Sequence, residues 1–546
     1  MRLALSLLGI VVGLIAAAWW WLGAPVRMPP APVAADEKLY CVSYTPFRGL
    51  QSPFEEGLRV DPQQIDDDLA RLSRLTGCVR TYSTRNGIDQ VPQIAARYGM
   101  QVIQGIWLGG EQTTQERDIV TAIGLAKAYP QVIRAMVVGN EVLLRGEMTP
   151  GGLASIIRRV KAEIPQPVTY ADVWEFWLRY REVYDAVDFV TIHILPYWED
   201  FPIPARNAAS HIESIRRKVA AAFPAKEILI GETGWPSAGR MREGALPSPA
   251  NQARVLHDVL NVAKQQGYHV NLIEAFDQPW KRRLEGTVGG HWGLLGAERR
   301  EPKFSWGVAV SNHPQWRLQA AGGIALAVLV FAAAFSAKRR RGAEAGPAVW
   351  PGVAAMALVA GILIGWAVEN VPLESLTAGD WLRSLTMVGL GIVAPLIGAA
   401  ALVRGGKVPA LARMLGPAAR RPQGVLDRAL GLTLMLLAIV AVQVGLGLAF
   451  DPRYKDFSFA PLTAATVPYL ILALHRTFIA DQDVLAFKQL LCCGTAETLL
   501  AGVLAACAVY IVPNESLANW QALWLAAVFV MLAAALWAVP DAPGSE

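Results

Sequence analysis

The amino-acid sequence predicts an α/β domain, a closed (β/α)8 TIM barrel, joined to an all-α polytopic membrane domain. Three observations carry that prediction. Short β-branched runs alternate with helical stretches about eight times between Lys38 and Trp280, the mark of a parallel sheet wound with helices. Residues 318 to 539 break instead into apolar runs, each near the roughly 20 residues that a spanning helix needs. With 53% hydrophobic and 17% charged residues over 546 positions, the chain is too apolar for a soluble protein and too long for one domain.

Arg2 and the apolar run Leu3 to Leu22 open the chain. The length of that run and its Trp19-Trp20-Trp21 belt favour an uncleaved signal anchor over a cleaved signal peptide, so residues 1–36 read as anchor and linker. Residues 37–310 read as the barrel. Its strands are expected at Leu39 to Thr45, Cys78 to Ser83, Gln101 to Leu108, Ile133 to Val142, Pro167 to Val173, Val187 to Leu195, Glu227 to Glu232 and His269 to Phe276. Asp61-Pro62 opens an amphipathic helix toward Leu75, and Thr149-Pro150 another toward Ile164. Eight strands with eight crossovers point to closure rather than to an open sheet. No glycine-rich phosphate loop follows the first strand, and Gly109-Gly110 and Gly289-Gly290 lack the remaining spacing, so no nucleotide cofactor is expected.

Residues 311–546 read as a membrane domain of about seven transmembrane helices. The runs are Leu318 to Ala337, Pro347 to Val368, Leu385 to Val403, Leu430 to Phe450, Phe457 to Leu474, Leu490 to Val512 and Gln521 to Val539. Basic residues flanking a span stay in the cytoplasm, which orients the set. Lys338 to Arg341, and Arg404, Lys407, Arg413, Arg420, Arg421 and Arg428, fall in alternate loops and belong inside. The loops around Glu374 and around Asn514-Glu515 lack Lys and Arg and belong outside. A multi-pass protein of the cell (inner) membrane follows, with its barrel periplasmic and membrane lipid as a partner. Glu497 is conspicuous because an ionisable residue in a span is costly.

The net charge of +5 is modest, and its basic residues cluster beside apolar runs, which excludes nucleic acid as a partner. Cys492, Cys493 and Cys507 lie in an apolar run, leaving Cys41 and Cys78 in the soluble block. These two fall on the first two strands. A bridge between them is open outside the cytoplasm, and packed free thiols are the plainer reading. No metal-ligand spacing is present, so neither metal nor cofactor is expected.

In a parallel barrel the chemistry sits where strands end and βα loops begin. The fourth strand ends in Gly139-Asn140-Glu141, the seventh in Gly231-Glu232-Thr233-Gly234-Trp235-Pro236, and the eighth in Glu274-Ala275-Phe276-Asp277. Two carboxyl groups facing each other on one rim suit cleavage of a glycosidic bond, one as proton donor and the other as anion. The donor is expected to hold its proton near neutral pH, raised by partial burial and by its neighbour's charge. Tyr44, Tyr82, Tyr197 and Trp235 are candidates to stack on sugar rings, Tyr44, Tyr197 and Trp235 foremost, and Asp172, Trp174 and Trp198 are weaker site candidates. His193, within the sixth strand, reads as a satisfied core histidine rather than a catalytic one.

Val137-Val138-Gly139-Asn140-Glu141-Val142 and Ile230-Gly231-Glu232-Thr233-Gly234-Trp235-Pro236-Ser237 resemble the two catalytic segments of glycoside hydrolase family seventeen, the β-1,3-glucanases and glucanosyltransferases. Glu274 to Lys281 and His291-Trp292-Gly293-Leu294 resemble later segments of its fungal members, and the likeness covers roughly residues 38 to 304. It implies a β-glucan substrate, Glu141 as acid/base, Glu232 as nucleophile and Asn140 as a partner of the sugar 2-hydroxyl. Gln278 departs from the family pattern, in which a Glu is usual. Lys281 is kept, and Glu274 is the expected substitute anion, both serving substrate binding. Membrane-bound bacterial members are often described as β-1,6-glucan synthases. The competing reading is a non-catalytic glucan-binding or export module coupled to a polysaccharide synthase.

Overall fold

The computed structural model describes residues 1–34, 36–341, 346–417, 422–476 and 494–539. Arg420, Arg421, Cys492 and Cys493 lie outside them. The chain forms two compact units, one of Val26–Val310 and one that joins Met1–Pro25 to Ser311–Glu546.

The first unit is a closed barrel of eight parallel strands in sequence order. They are β1 (Cys41–Ser43), β2 (Cys78–Arg80), β3 (Gln101–Ile106), β4 (Ile133–Asn140), β5 (Val168–Val173), β6 (Val190–His193), β7 (Ile228–Thr233) and β8 (Val270–Leu272). Each lies inside its expected segment except at β7, which runs one residue further to Thr233. Strand and helix side chains such as Val42, Val79, Val102, Val138 and Ile230 fill one continuous core, which fixes the rim residues from below.

Helix starts follow one chemical device. Asp61, Thr149 and Ser248 each accept a backbone N–H of the following turn, and each precedes a proline at the first helical position. Such a cap contributes about 1 kcal/mol and proline there gives up no hydrogen bond, so helix entry is fixed locally. Cys41 and Cys78, on the adjacent strands β1 and β2, form a disulfide with Cα atoms 4.4 Å apart. The free-thiol expectation is thereby corrected: parallel neighbours in register bring the two sulfurs within bonding reach.

In the second unit, seven helices are long and apolar enough to cross a membrane among the described residues. They are Arg2–Leu22, Trp316–Arg339, Val349–Glu374, Ala378–Arg404, Val425–Phe450, Thr495–Glu515 and Trp520–Trp537, with the shorter Phe459–His475 between them. Their interfaces use small residues. A Cβ on Gly323 would meet the Gly361 carbonyl oxygen at 2.0 Å, so only glycine permits that helix crossing. Glu497 is buried, and its Oε1 accepts the Leu411 backbone N–H at 2.5 Å.

Candidate active site

The end of β4 aims the first carboxylate. Gly139 has φ +88°, and a Cβ there would lie 2.9 Å from Val142 Cγ2, so glycine is required for both reasons. Glu141 follows at φ +54°, a left-handed conformation costing a non-glycine residue about 1–3 kcal/mol. Its N–H donates to the Ala171 carbonyl at 2.8 Å, and the β4–β5 pairing shifts between Val137 and Asn140. This irregular turn takes Glu141 off the strand and leaves its side chain 23% exposed. The second carboxylate, Glu232, sits on β7 in register with His193 on β6 and is only 4% exposed.

A polar network built from four strands fixes that pair. Arg80 Nη1, at the end of β2, donates to Glu232 Oε1 at 2.9 Å and to the Gly231 carbonyl at 2.7 Å, while Nη2 donates to Asn140 Oδ1 at 2.5 Å. The Tyr82 hydroxyl donates to the same Glu232 Oε1 at 2.8 Å. Burial first, and then the Glu232 charge, push the Tyr82 hydroxyl well above its ordinary pKa, which keeps it a donor. Both donors fall on Oε1. Among the described residues Oε2 has no protein hydrogen bond, so one oxygen is held and the other is left for chemistry. His193 Nδ1 lies 2.8 Å from Glu141 Oε1, and its Nε2 lies 3.4 Å from Arg80 Nη1 and 3.6 Å from Glu232 Oε1.

The structure corrects the expected state of the acid. Burial raises the Glu141 pKa, but the hydrogen bond and charge of His193, then Arg145 and Arg80, outweigh it and hold the group below its ordinary value. His193 is thus no bland core residue. It and Arg80 were missed because each ends a short apolar strand, and only pairing across the barrel brings Arg80 to a glutamate 152 positions away.

The loop behind Glu141 is pinned twice. Arg145 donates to the carbonyls of Asn140 and of Leu108, and stacks over Trp107 at 4.4 Å. Tyr170 accepts the Leu143 N–H at 2.9 Å and donates to Asp172, which accepts the Leu144 N–H at 3.3 Å. Burial pushes Asp172 up to about 6.

Other expected residues sit elsewhere than anticipated. Tyr44, Tyr197 and Trp235 are wholly buried: their polar atoms donate to Asp68, to the Arg240 carbonyl and to the Leu246 carbonyl. They present no open ring face to a sugar. Tyr82, Trp174 and Trp198 are half-buried, with Arg80, Lys218 and Arg242 respectively over their rings. Glu274 is buried and takes both contacts of Lys281 Nζ at 2.8 Å, and burial, opposed by Lys281, pushes it up to about 7. Gln278 is also buried; it donates to the Thr45 carbonyl and accepts from Trp280 Nε1.

Glu141, His193 and Glu232 each offer a ligand atom within 4.8 Å of the others, a spacing that a cation could bridge. The Arg80 guanidinium already stands against two of the three, and a metal ion there would face a fixed positive charge at contact distance. The set suits proton exchange better than metal binding.

Comparison with known proteins places the barrel among glycoside hydrolase relatives. Residues 41–293 match the BtgE/BtgC glycoside hydrolase domain. The barrel thus resembles the family-seventeen-like glycoside hydrolases. This glycosidase domain is 25% identical over 268 residues to a glucan 1,3-beta-glucosidase of Candida albicans, covering 45% of this chain and 87% of that protein. It is 26% identical over 280 residues to one of Arthroderma benhamiae, covering 47% of this chain and 88% of the relative. A crystal structure of the family 17 β-1,3-glucanosyltransferase of Rhizomucor miehei is 29% identical, with a TM-score of 0.43, and covers 49% of this chain and 97% of that one. The family match ends at residue 293, before the apolar helices from Trp316.

Proposed function

We propose that the glycosidase barrel is a retaining β-glucan hydrolase or transglycosylase that works on β-1,3-glucan outside the cytoplasm, held at the cell membrane by the apolar helices. One observation carries the mechanism: a carboxylate oxygen of Glu141 lies within 4.8 Å of one of Glu232. Retaining enzymes hold their carboxyl groups about 5–5.5 Å apart, whereas inverting ones leave room for a water between them. The substrate class rests on the relatives, which are named for β-1,3-glucan.

In the first step Glu232 Oε2 bonds to the anomeric carbon while the bond to the leaving sugar oxygen breaks. Glu141 gives that oxygen its proton. Arg80 and Tyr82 hold Oε1 throughout, and Asn140, itself oriented by Arg80, is placed to bond the sugar 2-hydroxyl. In the second step the acceptor hydroxyl gives its proton to Glu141, and its oxygen displaces the Glu232 carboxylate. Water as acceptor gives hydrolysis, and a sugar hydroxyl gives transfer, with a 6-hydroxyl forming the β-1,6 linkage. The disulfide between Cys41 and Cys78 supports an oxidising compartment for the barrel.

The test is a 2-deoxy-2-fluoroglucosyl trap followed by peptide mass spectrometry. Glu232 is expected to carry the label, and Glu232→Gln to lose at least about a thousandfold in turnover of laminari-oligosaccharides. Products longer than the substrate mark transfer. A label on another residue, or none, overturns the assignment and favours a binding module.

A further inference from the structure

We infer that His193 is a positioning residue that shares one proton with Glu141, so that the pair, rather than the carboxyl alone, sets the pH range of the reaction. This rests on the assignment of Glu141 as acid/base.

The geometry isolates the pair. Among the described residues, the charged or titratable groups facing the imidazole are Arg80 from β2, Glu141 from the end of β4, Asp172 from β5 and Glu232 from β7. On Nε2, the Arg80 guanidinium at 3.4 Å and the Glu232 carboxylate at 3.6 Å have opposite charge at nearly equal distance. Their effects on an imidazolium therefore largely cancel. Asp172 spends its oxygens on Tyr170 and the backbone N–H groups of Val173 and Leu144. Glu141 at 2.8 Å on Nδ1 is left as the decisive neighbour. His193 is fully buried, so water supplies no competing proton carrier at the ring.

The proton balance closes over both steps. With one proton on the pair, Glu141 is either an anion beside an imidazolium or an acid beside a neutral ring. Only the second form can protonate the leaving oxygen. Once it has done so, both members are unprotonated, and the acceptor's proton returns to Glu141 and re-enters the shared position.

The experiment uses the full-length protein in detergent and compares wild type with His193→Asn. The readout is kcat/KM against pH, on laminari-oligosaccharides and on a dinitrophenyl β-glucoside whose leaving group needs no proton. With the imidazole gone, the alkaline limb on the oligosaccharide is expected to move to lower pH by about one unit or more, since free His and Glu differ by about two. On the dinitrophenyl glucoside that limb stays where it was. An alkaline limb that does not move on the oligosaccharide overturns the proposal, as does an equal loss on both substrates at every pH. Should the variant fail to fold, the wild-type limb decides alone: it shifts to lower pH on warming if an imidazole shares the proton, and hardly moves for a lone carboxyl. Glu141→Ala in the same assays separates these outcomes from failure of the acid/base assignment: if Glu141 is the acid, turnover of the oligosaccharide falls far more than that of the dinitrophenyl glucoside, and an equal loss on both refutes the assignment itself.

Discussion

The two oxygens of Glu232 have different surroundings, and the difference is set by side chains from the end of another strand. Oε1 takes hydrogen bonds from Arg80 and Tyr82, so the carboxylate cannot rotate without losing two charge-assisted contacts. Tyr82→Phe tests how much this matters. A hydrogen bond to a charged group is worth about 1.5–3 kcal/mol, so the rate of Glu232 labelling should fall about 10- to 100-fold, with KM changed much less. A fall below about threefold would mean that Arg80 alone orients the oxygen. At this scale the sequence was readable only in part. Asn140, Glu141 and Glu232 stand in runs at strand ends, which is what made them candidates, and the structure brings the three to one rim. Arg80 and His193 could not be found in that way, because their partners are set by strand pairing far along the chain. Tyr44, Tyr197 and Trp235 look like sugar platforms in sequence, but burial has committed their rings to packing.

At the scale of elements, the barrel was legible because its signals are local. Strand residues alternate with helices opened by Asp61-Pro62 and Thr149-Pro150, and the same device recurs unforeseen at Ser248-Pro249. The disulfide was legible only as an open alternative, since the register of β1 against β2 decides whether Cys41 meets Cys78. One loop links element to chemistry: the turn after β4, which Asp172 and Tyr170 hold by its backbone at Leu143 and Leu144. Asp172 is raised to about 6 by burial. A carboxyl whose folded pKa is raised binds a proton more tightly folded than unfolded. Its contribution to stability is therefore full below the unfolded value near 4 and is lost as pH rises through about 6. Asp172→Asn removes that dependence. Thermal inactivation of the barrel should then vary less between pH 4 and 6, with a slope smaller by up to about 1.4 kcal/mol per pH unit. An unchanged slope would show that Asp172 is ionised across that range in the fold.

At the scale of the whole molecule, two independent features argue for one compartment. The disulfide belongs to the barrel, and the distribution of Lys and Arg belongs to the helices. Among the described residues, seven long apolar helices and the shorter Phe459–His475 make eight crossings if each one spans. With Arg2 inside, the first crossing takes the chain out ahead of Val26, and the helix from Trp316 returns it toward Lys338 and Arg339. The Arg404-to-Arg428 loop then falls inside and Asn514 outside, as the basic residues require. Single cysteines at Arg413, Asn514 and Glu55, placed in a chain whose Cys492, Cys493 and Cys507 are replaced by Ala, test this against a membrane-impermeant maleimide on intact spheroplasts. Asn514→Cys and Glu55→Cys should label before lysis and Arg413→Cys only after it. Labelling of Arg413→Cys in intact spheroplasts, with Glu55→Cys protected, would place the barrel in the cytoplasm, away from any glucan outside the membrane and in a compartment where its disulfide would not persist.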